Sequence, residues 1–145
     1  MTLKKYVPGL FYFLGFSFLA APIYAHEIEC PQSITEKPSV SKKEKKWRIV
    51  SASGERPLER VGIYLGDTSE YSAQVPDSSE VSQGEEKVVW NIVRAPEDTF
   101  WVGCEYTGTT ALLFQKLNPA SKICTATYEL LSSGKRLSLK SLICL

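Results

Sequence analysis

The chain has 145 residues, 17 Lys+Arg against 16 Asp+Glu, and one histidine. That length suffices for one hydrophobic core and hardly for two, and a formal charge of +1 lacks the basic excess of a nucleic-acid binder. A single histidine also removes most arrangements that activate a serine or cysteine nucleophile.

In chain order, Lys4 and Lys5 precede an uncharged stretch from Tyr6 to Ala25. Its apolar centre, Leu10 to Ala21, is followed by Pro22 and by a polar start at His26. Basic, apolar and small-residue regions in that order read as a secretory signal peptide. Pro8, Gly9, Gly15 and Pro22 leave too short an apolar core for a membrane anchor. Cleavage is expected between Ala25 and His26. It would leave a mature domain of residues 26–145 in the periplasm, with no membrane association. Without Lys4 and Lys5, 15 bases face 16 acids, a formal charge of −1.

Residues 26–46 read as a polar leading segment with Pro31 and Pro38, compatible with a short helix near residues 33–46. It ends in the basic run Lys42-Lys-Glu-Lys-Lys46 before Trp47-Arg48. Alternating or β-branched runs then predict strands at 48–52, 58–65, 87–93, 100–106, 111–117, 123–130 and 137–144, each bounded by Gly, Pro, Ser or Asn. Alternation puts Val61, Ile63 and Leu65 on one face, as it does Val88, Trp90 and Ile92. It likewise groups Phe100, Val102, Cys104 and Tyr106, and Cys124, Ala126, Tyr128 and Leu130. The mature part shows no clear helical period. The fold expected is one antiparallel β-sandwich or small barrel.

Between two of these strands, residues 66–86 form a polar stretch with six acids and no base. Read as a connector it is long, and long loops tend to be functional or disordered. Asp67, Glu70, Tyr71, Asp77 and Glu80 are its candidate partner-binding residues, able to steer a cationic partner. Trp101 is the other candidate. With Phe100, Val102, Cys104 and Tyr106 turned to the core, it faces outward beside Gly103 and Glu105, and an outward tryptophan is a candidate anchor. Core packing is the bland reading of Trp47, Trp90 and Trp101, and a solvated face that of the acidic stretch.

Cys30, Cys104, Cys124 and Cys144 all lie in the mature part. An even count in an exported chain predicts two disulfides, and the lack of a C-x-x-C pair argues against zinc or redox chemistry. Three connectivities exist. Cys104–Cys124 and Cys30–Cys144 are favoured, as a local closure and a tie between the domain's ends, worth about 3 and about 5 kcal/mol on the loop-entropy model.

Catalysis finds little support. His26 is expected to be a solvated terminal residue. Glu85-Glu86 and Glu97-Asp98 are adjacent carboxylates that point apart on an extended chain and so do not converge on one bond; both are expected to be solvated turn charges. No phosphate loop or calcium loop pattern occurs. No cofactor, metal or catalytic residue is expected, and the protein is read as a non-enzyme.

Glu29-Cys30-Pro31, Val75-Pro76, Trp101-Val-Gly-Cys104-Glu-Tyr106-Thr-Gly-Thr109, Cys124-Thr-Ala-Thr-Tyr128 and Ile143-Cys144 together resemble a family of small uncharacterised periplasmic proteins of Salmonella and other proteobacteria. Some of its members resemble immunity proteins found beside toxin genes. Ser133-Gly134-Lys-Arg carries a weaker resemblance to periplasmic lysozyme inhibitors, whose Ser-Gly-x-x-Tyr segment it matches only as a fragment. The resemblance implies export and paired cysteines and assigns no site residue. Together with the residue-level reading, it leads to the expectation of a periplasmic inhibitor or immunity protein that blocks a cell-wall-acting enzyme or toxin. The alternative is a non-catalytic envelope protein with a structural or small-ligand-binding role.

Overall fold

A computed structural model of the chain describes residues 25–37 and 54–145. The signal-peptide reading, Trp47, the strand expected at 48–52 and the basic run therefore fall outside the described residues. Ten strands follow in order: β1 (His26–Glu27), β2 (Ser33–Glu36), β3 (Gly54–Gly66), β4 (Tyr71–Ala73), β5 (Ser78–Ser82), β6 (Glu85–Asn91), β7 (Phe100–Tyr106), β8 (Leu112–Lys116), β9 (Ile123–Leu130) and β10 (Arg136–Cys144). They pair antiparallel throughout. One sheet runs β1-β10-β9-β6-β5, the other β2-β3-β7-β8, with β4 also on β3. The sheets curl towards each other into a half-barrel. Among the described residues no helix is long and apolar enough to cross a membrane.

The alternation explains the core. β3 and β7 turn Val61, Ile63, Phe100, Val102, Cys104 and Tyr106 inward, against Val88, Trp90, Cys124, Ala126, Tyr128 and Leu142 of the other sheet. Burying a large apolar side chain contributes roughly 1.5–3 kcal/mol, so this facing set is the main source of cohesion. Tyr128 also crosses the gap. Its hydroxyl accepts a hydrogen bond from the Val61 backbone N–H at 3.0 Å, a group on the stretch of β3 between the parts paired with β2 and β4. A buried edge donor is thereby satisfied by a side chain from the opposite sheet.

Three expectations are corrected. The disulfides are Cys30–Cys104 and Cys124–Cys144, not Cys104–Cys124 and Cys30–Cys144. Cys104 and Cys124 stand on different sheets, whereas the β9–β10 hairpin sets Cys124 directly opposite Cys144. Cys30 lies where the chain passes from β1 in one sheet to β2 in the other, within reach of the inner face of β7. Next, Ser33–Glu36 is a strand, not the start of a helix, because it completes the edge of β3. Lastly, residues 66–86 are not one long loop: they contain β4 and β5. Gln83 and Gly84, both at positive φ, make the two-residue turn that joins β5 to β6.

Candidate partner-binding face

The outer face of β3 and β7 carries glycine at two directly opposed positions, Gly62 and Gly103. With no side chain there, the Tyr64 ring lies across the sheet: a Cβ on Gly103 would sit 2.3 Å from Tyr64 Cε2. Phe114, the partner of Gly103 on β8, closes over the same spot. Gly66, at φ 115°, turns the chain so that β4 returns along β3 with Tyr71 opposite it.

Tyr64, Tyr71 and Phe114 thus meet edge to face, with centroids 5.0 to 5.4 Å apart. Such pairs contribute about 0.5–1.5 kcal/mol each beyond area burial. Trp101 stands 6.3 Å from Phe114, and its Nε1–H donates to the Gly66 carbonyl at 2.8 Å, which fixes the indole to the turn. Tyr64 is buried under its neighbours at 5% exposure, while Tyr71 keeps 43%, so the cluster has a firm base and an accessible top.

The two ends of this aromatic face differ in charge. At one end Glu105 is fully engaged. Tyr64 donates its hydroxyl hydrogen to Oε1 at 2.6 Å, and Arg60 donates from Nε to Oε2 at 2.7 Å, its Nη2 forming an ion pair with the same oxygen at 2.7 Å. Burial, then the bond to Glu105, pushes the Tyr64 hydroxyl pKa well up, and Glu105 also raises that of Arg60. At the other end an open cleft of about 470 Å3 is lined by Trp101, Asp67, Glu97, Asp98 and Lys116. Asp67 Oδ1 accepts from the Ser69 backbone N–H at 2.9 Å and its hydroxyl at 3.1 Å, and these bonds lower its pKa. Asp98 Oδ2 accepts from the Ala95 N–H at 2.7 Å. Each pins a turn with one oxygen and lines the cleft.

The expected site residues therefore divide. Asp67, Tyr71 and Trp101 come together, and Glu70 closes the exposed turn between β3 and β4. Trp101 faces outward as expected, although half-buried. Asp77 and Glu80 belong to the other sheet. Asp77 Oδ2 accepts from the Asn91 N–H at 2.7 Å, and Glu80 faces Lys87 across the β5–β6 pair. Tyr64 and Phe114 were missed. The signal was available for Tyr64, which is flanked by Gly62 and Gly66 on the strand face opposite Val61 and Ile63.

Glu85 and Glu86 are not solvated turn charges but β6 residues with partners. Glu85 pairs with Lys140. Glu86 accepts from Arg136 Nε at 2.7 Å and Nη2 at 2.9 Å, and Arg136 also lies over the Tyr128 ring at 4.1 Å. The Arg136 hydrogen bonds, aided by one from Ser79 and opposed by burial, lower the Glu86 pKa from 4.5 to about 2. A depressed carboxylate stabilises the fold above its unfolded pKa and loses that contribution as pH falls through the folded value. Glu86→Gln should therefore cost about 2 kcal/mol at neutral pH, allowing for solvent screening. Its deficit against the unmodified protein should vanish as pH falls from 4.5 towards 2. Urea unfolding across that range checks this; a deficit independent of pH would refute the pairing.

Residues 52–145 match the family described as type VI secretion system Tli immunity protein. The chain belongs to that family. The matched span holds β3 through β10, and with them the aromatic face and its cleft, but not Cys30. No curated protein and no solved structure matches the chain. Tli membership supplies the function: this is an immunity protein, an inhibitor whose partner is a toxin.

Proposed function

We propose that this Tli protein guards the periplasm, where it binds an envelope-degrading toxin, such as one acting on peptidoglycan, through the outer face of β3, β7 and β8. The reading rests on one observation above all. An edge-to-face aromatic cluster with an accessible top occupies a sheet face that no other described segment covers. Aromatic side chains set in a rigid surface are the usual anchors of protein interfaces. Asp67, Glu70, Tyr71 and Trp101 belong to this surface, joined by Phe114; Asp77 and Glu80 do not.

Periplasmic delivery follows from cleavage after Ala25. β1 starts at His26, so removal of residues 1–25 leaves the sheet whole, and both disulfides suit an oxidising compartment. A small-ligand role would need a deep apolar pocket. The crevice at the mouth between the sheets holds about 250 Å3, and Tyr106, Leu117, Tyr128 and Leu142 fill the interior.

Protection of toxin-exposed cells tests the reading. Tyr71→Ser with Phe114→Ser should abolish protection and weaken toxin binding by at least ~30-fold, the scale of a lost hot spot, with the fold intact by circular dichroism. Intact mass of the periplasmic protein should show loss of residues 1–25. Full protection by the double variant would move the interface elsewhere.

A further inference from the structure

We propose that the aromatic face receives a toxin segment in which a basic side chain stands beside an apolar one, with the basic group entering the cleft next to Trp101. This rests on the reading of the face given above and specifies what the face binds.

Charge complementarity carries the inference. Among the described residues four acids pair with bases: Glu36 with Arg56, Glu85 with Lys140, Glu86 with Arg136 and Glu105 with Arg60. The cleft is different. Among the described residues Asp67, Glu97 and Asp98 share it with one base, Lys116. Asp67 and Asp98 accept only from hydroxyl and backbone donors of their own turns, and Glu97 makes no ion pair among the described residues. Other acids of the described residues, such as Glu55, Glu59 and Glu129, also make no ion pair, but Asp67, Glu97 and Asp98 gather in one cleft, at the edge of the aromatic surface.

Trp101 borders both regions, so a cation held by the carboxylates would also meet the indole, an arrangement that favours arginine. An apolar neighbour in the same segment would then rest on Tyr71 and Phe114. Lys116, the cross-strand partner of Trp101, competes for the same carboxylates, so its removal should strengthen binding of a cationic segment. An anionic segment at the cleft is disfavoured by the same charges. Because the cleft is open to solvent, the pairing acts mainly on association rate and on salt dependence.

Surface plasmon resonance against the toxin that co-purifies stoichiometrically with the protein expressed from the whole chain and recovered from the periplasm tests this. Asp67→Asn, Glu97→Gln and Asp98→Asn together keep the accepting oxygens that hold the two turns. They should slow association at least ~tenfold at low salt and flatten its salt dependence. Lys116→Met should speed association several-fold. Glu129→Gln, on the outer face of the other sheet, serves as the control for any effect of net charge. If the triple variant and Lys116→Met both bind as the unmodified protein does while Tyr71→Ser still loses affinity, the face stands and the basic segment is refuted. If Tyr71→Ser also binds normally, both readings fall.

Discussion

Replacing Cys30 and Cys104 with alanine should lower the unfolding free energy by about 4 kcal/mol, the loop-entropy value for a closure of this length. The bond joins residues 74 apart, and the enclosed stretch includes β2 through β6. It also anchors the point where the chain crosses from one sheet to the other, where few backbone hydrogen bonds are available to replace it. Removing Cys124 and Cys144 should cost less, about 3 kcal/mol or below. Their loop spans 20 residues, and the β9–β10 register already holds the two strands together. Denaturant unfolding of the two double variants measures the difference. Peptide mapping without reduction should return Cys30 linked to Cys104. A Cys30–Cys144 peptide, or equal costs for the two pairs, would contradict this account.

Gly103→Ala should disturb the aromatic face strongly. Its Cβ would meet Tyr64 Cε2 at 2.3 Å, Tyr64 Cδ2 at 2.8 Å and Phe114 Cε1 at 3.1 Å. Tyr64 cannot yield freely, because its hydroxyl is tied to Glu105 and its ring is wedged between Tyr71 and Phe114. The overpacking should cost about 1–3 kcal/mol of stability and, by tilting Tyr71 and Phe114, weaken toxin binding at least ~tenfold. A double-mutant cycle with Tyr64→Ala isolates the cause. Where the Tyr64 ring is absent, the added methyl should cost little, so the two changes should be strongly non-additive. Simple additivity would mean that the ring does not rest on Gly103.

Much of the fold was legible because strand alternation is a local property. The faces assigned to Val61, Ile63 and Leu65, to Val88 and Trp90, and to the run Phe100–Tyr106 are those observed, since a period of two leaves a buried strand little choice of register. The acidic stretch was misread for the converse reason. Tyr71–Ala73 and Ser78–Ser82 are exposed along their whole length, so no hydrophobic pattern marks them, and they are strands only because β3 and β6 offer them edges. Gln83-Gly84 makes its turn without the Asn-Gly or Asp-Gly pair that signals one most strongly. Part of its charge was hidden in the same way: Arg136 and Lys140, about fifty residues downstream, neutralise Glu86 and Glu85.

Sequence by itself determined that the described domain is an antiparallel β-fold, which residues face its core and that Trp101 faces out, because each follows from neighbours two positions apart on an extended chain. Tertiary structure alone decided which cysteines join and which acids find bases. It also brought Tyr64, Tyr71, Trp101 and Phe114 into one surface. These depend on which strands lie side by side, and that is set by the packing of two whole sheets.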